Sequence, residues 1–320
     1  MLEPEPSAEL VRDVVEGLTS DPKRIPSRYL YDDLGSRLFE AICELPWYPI
    51  TRGECALLRA HATAILSGLG PRPTVIELGA GNGEKLSLLL RASGIEMDRA
   101  DVHVVDIAAT ALLRSRQTLS QHEGVGVVTH KARYEVGLPA ALEHANGSEP
   151  AVVLFLGSNI GNMSRDESDE FLRVLRRGCR RGDRLLLGTD LVKPTAEMLL
   201  AYDDPLGITA AFNRNMLVRL NRELDGDFDL AAFDHHVQWN ADASRVESYL
   251  VSRAEQQVCL RAAGCCTSFA EHEAIWTESS HKYEPEQVVA MGDRADFSVR
   301  QQWIEPDVNF ALTLFEARGN

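Results

Sequence analysis

From residue 74 onward, short apolar runs alternate with stretches in which apolar residues recur every three or four positions. The first pattern has the period of a strand and the second that of a helix. Strands are expected at 74–78, 101–105, 126–128, 151–156 and 184–188, with helices in the intervals. Such alternation predicts a parallel sheet covered by helices on both faces. The run 151–156 is apolar at nearly every position, as a strand buried on both faces requires. After it, Ser164-Arg165-Asp166-Glu167 forms a capping box for a helix that buries Phe171, Leu172, Val174 and Leu175.

On either side of this block the rhythm changes. Residues 1–52 hold a polar, proline-spaced tail, a helix with Leu10, Val11, Val14, Val15 and Leu18 on one face, and an aromatic-rich stretch at 29–40. A proline-punctuated loop at 45–52 leads into a helix from about 52 to 66. Residues 194–282 read as helices at 197–202 and 209–220 and then strand-like runs at 247–251 and 256–260. The runs 297–303 and 309–316 form an antiparallel pair that completes the first sheet. The expected fold is therefore α/β, a Rossmann-like sheet with a second α+β domain. The first domain takes 53–193 plus 283–320, and the substrate-recognition domain takes 1–52 plus 194–282.

The first strand ends in Glu77-Leu78-Gly79-Ala80-Gly81-Asn82-Gly83 and turns into a helix at Lys85. Glycines here let the turn reach positive φ and let backbone N–H groups approach a ligand. Their spacing does not fit G-x-G-x-x-G. It has the form found in S-adenosylmethionine (SAM) enzymes, although alone it leaves other nucleotide-binding α/β proteins open. Asp106 closes the second strand, where a ribose diol is gripped in βαβ units, and Gly157-Ser158-Asn159-Ile160-Gly161-Asn162 follows the fourth. All three segments lie at carboxyl ends of strands, the ligand side of an open α/β sheet.

A formal charge of −15 argues against a nucleic-acid partner. No apolar run approaches the roughly 20 residues that span a bilayer, and Met1-Leu2-Glu3-Pro4-Glu5-Pro6 lacks the features of a signal peptide. Six cysteines (43, 55, 179, 259, 265 and 266) show no metal-ligand spacing. Cys265-Cys266 are too close in sequence for an ordinary bridge, so all six are expected as thiols of a cytoplasmic protein. No metal is expected, and His235-His236 reads as a surface pair, since neighbours on a strand point to opposite faces. Asn146-Gly147-Ser148 fits a glycosylation pattern that has no meaning in that compartment.

Longer blocks narrow the reading. Tyr31-Asp32 with Gly35-Ser36 and Leu38-Phe39, Phe155-Leu156-Gly157-Ser158 with Ile160-Gly161-Asn162, Leu187-Gly188-Thr189-Asp190-Leu191-Val192-Lys193, and Ala201-Tyr202-Asp203-Asp204 followed by Thr209-Ala210-Ala211-Phe212-Asn213-Arg214-Asn215 are specific. Over about residues 8–316 the chain resembles the histidine-specific SAM-dependent methyltransferases, the family of the L-histidine Nα-methyltransferase of ergothioneine biosynthesis. The resemblance implies a class I SAM methyltransferase sheet plus a recognition domain, with SAM as cofactor and S-adenosyl-L-homocysteine as its product. It places Gly79 and Lys85 at the cofactor's methionine end and Asp106 at its ribose, with Gly81 and Ser158 also at the cofactor and Tyr134 stacked on its adenine ring. Tyr31 falls beside the amine to be methylated and is the candidate catalytic residue. Asn162 and Tyr202 fall where the α-carboxylate binds, with Gly157 beside them. Glu278 and Ser280 match the pair holding the imidazole, while Phe39, Thr209 and Phe212 line the pocket. The implied partner is a small-molecule acceptor, with no nucleic acid and no membrane, for a monomer or weak homo-oligomer.

Three departures bear on the acceptor and on adenine. Where the family has two tyrosines before Pro-Thr-Arg, this chain reads Trp47-Tyr48-Pro49-Ile50-Thr51-Arg52. Tyr48 either substitutes from a shifted position or the contact is lost. The family's methionine beside the histidine ring is Ser248, which widens the pocket and makes it more polar. Its Asp for the adenine amino group is Arg133, and a guanidinium cannot accept from an amino group. A larger tryptophan- or indole-derived metabolite, methylated on nitrogen or carbon, is the second acceptor class. A non-catalytic SAM-binding protein is the alternative outside catalysis, and a dehydrogenase would bind NAD instead.

Overall fold

The computed structural model describes residues 7–70, 72–94, 100–144 and 149–319. The tail at 1–6 and the Asn146-Gly147-Ser148 pattern lie outside the described residues. The chain opens with α1 (Ala8–Thr19), β1 (Lys23–Arg24) and α2 (Asp33–Cys43). It continues through α3 (Ile50–Leu66), β2 (Thr74–Leu78), α4 (Glu84–Ala92), β3 (Ala100–Asp106), α5 (Ala109–Leu119), β4 (Val125–Lys131), α6 (Tyr134–His144), β5 (Ala151–Phe155), α7 (Arg165–Gly178) and β6 (Arg184–Asp190). Next come α8 (Thr195–Tyr202), α9 (Ile208–Leu224), β7 (Phe233–Asn240), β8 (Arg245–Ser252), β9 (Gln256–Leu260), β10 (Cys265–Phe269) and β11 (Ala274–His281). The chain closes with α10 (Pro285–Arg294), β12 (Phe297–Glu305) and β13 (Phe310–Ala317). Contacts divide it into two units, 1–48 with 193–280 and 49–192 with 281–320.

The larger unit is built on a seven-stranded sheet in the order β12-β13-β6-β5-β2-β3-β4. Strands β2 to β6 run parallel, and β13 pairs antiparallel with both β6 and β12, as the final apolar runs predicted. Strand β12 therefore runs with β2 to β6, so six strands share one direction and β13 lies antiparallel between β6 and β12 in an open α/β sheet. Every residue of β5 and of β6 is buried. Ile76, Leu78, Val153, Phe155, Leu185, Leu187 and Phe315 form the centre of the core. The capping box at α7 is closed in both directions: Glu167 N donates to Ser164 Oγ at 3.2 Å, and Ser164 N donates to Glu167 Oε2 at 2.7 Å.

The smaller unit has a four-stranded sheet, β1-β11-β8-β7, and a β9–β10 ribbon. No strand was expected at β1 or β10, and at β7 only the His235-His236 pair was read as lying on one, because β7 shows no clean apolar alternation. Asp32 ties α2 to α9: its Oδ1 accepts from Gly35 N at 2.8 Å and Asn215 Nδ2 at 2.7 Å, and its Oδ2 accepts from Arg222 at 2.7 Å. A side chain at Gly35 would collide with the Leu30 carbonyl oxygen, which explains the glycine in that block.

Two expectations are corrected. Cys259 and Cys266 form a disulfide rather than remaining thiols. They are direct partners in the β9–β10 register, and antiparallel pairing brings opposed Cβ atoms within bridging reach; the adjacency of 265 and 266 was not the relevant pairing. Of the expected surface pair, His236 is exposed but His235 is half-buried. Its ring spans Asn213 Nδ2 at 2.9 Å and the Tyr202 carbonyl at 2.9 Å, and burial holds its pKa below the usual imidazole value. No helix among the described residues is long and apolar enough to cross a membrane, and no group of three metal-ligating side chains occurs among them.

Candidate active site

In the larger unit the strand order reverses between β2 and β5, and such switch points are where open α/β sheets bind ligands. The loop after β2 has left-handed backbone at Gly79 (φ 74°), Gly81 (φ 53°) and Gly83 (φ 75°). Gly79 N donates to the Val105 carbonyl at 2.8 Å, fixing the start of the loop against β3. A methyl at Gly79 would press on the Tyr134 hydroxyl, and one at Gly83 on the Ser115 backbone, whereas one at Gly81 would meet nothing within 4 Å. The loop is therefore packed at its ends and open at its tip.

Charged groups surround this loop. Asp106, at the end of β3, accepts from Ala108 N at 2.8 Å. Burial raises its pKa, opposed by hydrogen bonds from the amides of Ala108, Gly81, Ile107 and Ala80. Glu77 is 2 % exposed, its Oε2 has no hydrogen-bond partner, and burial pushes its carboxyl up to about 8. Nearby Lys85 acts in the opposite direction, while Glu54 and Asp106 add to the rise. Tyr134 packs edge-on against Phe155 at 5.3 Å and is tilted against Phe171 at 6.0 Å, so its ring belongs to the apolar layer behind the loop. Arg133 pairs with Glu135 at 3.6 Å.

The turn after β5 places two left-handed residues in succession, Gly157 (φ 73°) and Ser158 (φ 57°). A non-glycine residue in that region is uncommon and needs support from its surroundings. Ser158 receives it from Asp190, whose N donates to Ser158 Oγ at 3.0 Å, while the Asp190 carboxylate pairs with buried Lys282 at 2.8 Å. Asn162 ends the single helical turn 159–162.

One residue absent from the sequence reading stands at the centre of this half. Glu54 of α3 is fully buried, accepts from Gly157 N at 2.7 and 3.0 Å through its two oxygens, and pairs with Lys85 Nζ at 2.5 Å. Its signal was present: Ile50, Glu54, Leu57 and Leu58 share one helical face, so an acid occupies a core position of an otherwise apolar stripe.

Apart from Gly157 and Asn162, the residues assigned to the acceptor lie in the smaller unit. Tyr31 meets Phe39 at 5.5 Å and Phe212 at 5.3 Å, both edge-on, Phe39 meets Tyr48 at 6.2 Å, and Tyr48 meets Tyr202 at 6.3 Å. Five rings drawn from three separated segments thus form one wall. At its end Tyr202 OH donates to Ser280 Oγ at 2.7 Å. At the start of α9, Thr209 N donates to Asp204 Oδ2 at 2.7 Å. Ser248 is buried on β8, where its carbonyl accepts from Thr277 Oγ1 at 3.0 Å. Glu278 is half-buried on β11, and its carbonyl accepts from Trp276 Nε1 at 2.9 Å.

This side offers an ammonium suited to a carboxylate and a strand-end acid suited to a diol. An ammonium (Lys85), an acid at a strand end (Asp106) and a buried carboxyl whose Oε2 lacks a hydrogen-bond partner (Glu77) surround an open glycine tip. A family model described as histidine-specific methyltransferase, SAM-dependent, matches residues 10–317. A histidine N-alpha-methyltransferase from Mycolicibacterium smegmatis is 40% identical over 95% of this chain and 94% of its own. One from Mycobacterium tuberculosis is 38% identical over the same shares, 95% and 94%. An L-tryptophan methyltransferase from Psilocybe serbica is 26% identical over 96% of this chain and 92% of its own.

Proposed function

The chain belongs to the histidine-specific, SAM-dependent methyltransferase family, and from that premise we propose that it methylates the α-amine of L-histidine and releases S-adenosyl-L-homocysteine. The observation that carries the acceptor is the likeness to histidine N-alpha-methyltransferases over nearly the whole of both chains. Bound SAM supplies an electrophilic methyl group on a sulfonium. The protein's task is to hold an amine in line with it, and alignment of this kind lowers barriers through pre-ordered geometry. Lys85 suits the methionine carboxylate of the donor and Asp106 the ribose hydroxyls. Asn162 and Tyr202 suit the acceptor carboxylate, and Glu278 with Ser280 suits an imidazole, since a carboxylate accepts from a ring N–H and a hydroxyl can donate or accept. Tyr31, held edge-on by Phe39 and Phe212, orients the amine, which must be neutral to attack. The chemistry asks for no metal.

Ser248 and the altered loop at 47–50 favour a second reading in which the acceptor is a larger tryptophan- or indole-derived molecule. Labelled SAM and a panel of histidine, tryptophan, tyrosine and indole amines separates the two, with mass spectrometry locating and counting the methyl groups. Methylated histidine is the expected product. Turnover of tryptophan alone would establish the second reading, and tight SAM binding without turnover of any amine would overturn both.

A further inference from the structure

We propose that Glu54 is a positioning residue for cofactor binding: its carboxylate sets the Lys85 ammonium and the Gly157 amide as a single unit at the switch point. This rests on the reading that Lys85 faces the methionine end of SAM.

Three elements meet on one buried carboxylate. Glu54 reaches from α3, Lys85 from α4, and Gly157 from the turn after β5. Both carboxylate oxygens lie within hydrogen-bonding distance of the same amide, at 2.7 and 3.0 Å, and one of them also takes the ammonium at 2.5 Å. An acid with no exposed surface is tolerated in a core only when such partners compensate its lost hydration. The rest of the unit makes room for it. Gly188 lies directly beside Glu54, and any side chain there would collide with the carboxylate; at Gly157 an added Cβ would stand 3.3 Å from Lys85 Nζ. Gly157 also needs its glycine for a φ of 73°.

A lysine side chain is long and flexible, and an unanchored ammonium samples many positions. The Glu54 pair removes that freedom before any ligand arrives, while the Lys85 side chain keeps 26 % of its surface exposed. The same carboxylate fixes the amide of the turn that leads to Ser158 and Asn162. Glu54 thus ties the group suited to the donor's carboxylate to the turn that ends in a group suited to the acceptor's carboxylate. Pre-organisation of this kind strengthens binding by reducing the ordering cost paid when the ligand arrives.

Glu54→Gln tests this, because glutamine keeps the shape but removes the negative charge and one of the two acceptor oxygens, leaving a single neutral oxygen for both Gly157 N–H and the ammonium. Calorimetry is run with S-adenosylhomocysteine and with 5′-methylthioadenosine, which lacks the amino-acid end. Wild type, E54Q, K85M and the double variant are compared, with circular dichroism and thermal melting checking the fold. The expected result is a tenfold or greater loss of S-adenosylhomocysteine affinity in E54Q and in K85M, with 5′-methylthioadenosine affinity within twofold of wild type. The double variant should lose no more than the weaker single. Equal loss of both ligands in E54Q, or no loss of either, overturns the proposal while a selective K85M keeps the cofactor reading. Unchanged S-adenosylhomocysteine binding in K85M removes that reading and the proposal with it.

Discussion

Tyr202 OH donates to Ser280 Oγ at 2.7 Å, joining the end of α8 to β11 across 78 residues of sequence. Both side chains are buried, so each hydroxyl needs a partner and each helps to fix the other's direction. A serine hydroxyl has one proton and two lone pairs, and the bond from Tyr202 uses only one lone pair. The pair therefore supplies an oriented polar end to a wall that is otherwise built of Tyr31, Phe39, Tyr48 and Phe212 rings.

Tyr202→Phe and Ser280→Ala should each raise the KM for the acceptor by about tenfold, the scale of one lost buried hydrogen bond. SAM affinity should stay within twofold. Because the two groups act through one bond, the double variant should lose little more than either single. Steady-state kinetics with calorimetry on SAM checks this; additive losses would mean that the two hydroxyls serve separate purposes.

Asp106→Asn and Asn162→Ala should fail in opposite ways. Asp106 sits among the loop amides, so its asparagine variant should bind SAM and S-adenosylhomocysteine at least tenfold more weakly with the acceptor KM little changed. Asn162→Ala should raise the acceptor KM and spare the cofactor. Titration of both ligands into both variants decides it, and equal loss of cofactor affinity in the two would remove the division of roles.

Glu77 makes the stability of the fold depend on pH. Burial raises its carboxyl from an ordinary value of 4.5 to about 8, so between those values the folded chain binds more protons than the unfolded one. The contribution is complete below the lower value and is lost as pH rises through the upper one. Glu77→Gln has no such loss. Its melting temperature relative to wild type should climb by several degrees between pH 5 and pH 8, read by calorimetric scans across that range. Parallel curves would show that Glu77 stays ionised in the folded chain.

How much of this was legible depends on how local the signal is. The sheet of the larger unit was readable because strand and helix periods alternate through it and because its apolar runs are short and complete, as at β5 and β6. The glycine turn was readable for the same reason: Gly79, Gly81 and Gly83 lie within one loop, and all three adopt positive φ. Glu54 was missed since its partners, Lys85 and Gly157, come from two other elements and nothing near it in sequence announces them. The stripe of α3 gave only the anomaly of an acid among apolar neighbours. The extent of strand β7 was not legible because its outward positions are polar and its inward His235 is satisfied by Asn213 and Tyr202, a pairing that only the tertiary fold creates. The Cys259–Cys266 bridge likewise depends on the β9–β10 register rather than on spacing.

Acceptor choice comes down to Ser248, which stands where the resemblance puts a methionine against the imidazole ring. Serine removes two heavy atoms of side-chain length and the polarizable sulfur that packs on ring edges. Ser248 is 3 % exposed, so its neighbours enclose it, and on the second reading a ring larger than imidazole takes the place of the missing methionine side chain. Ser248→Met should restore the smaller pocket. The ratio of kcat/KM for histidine over tryptophan should then rise by about tenfold, within the range that one or two methylene-sized contacts give in enzyme specificity. Overpacking is a risk at a buried position and can cost about 1–3 kcal/mol of stability, so melting curves accompany the kinetics. A folded variant with an unchanged ratio would show that Ser248 does not face the acceptor ring, and would move the question of specificity to Tyr48 and Pro49.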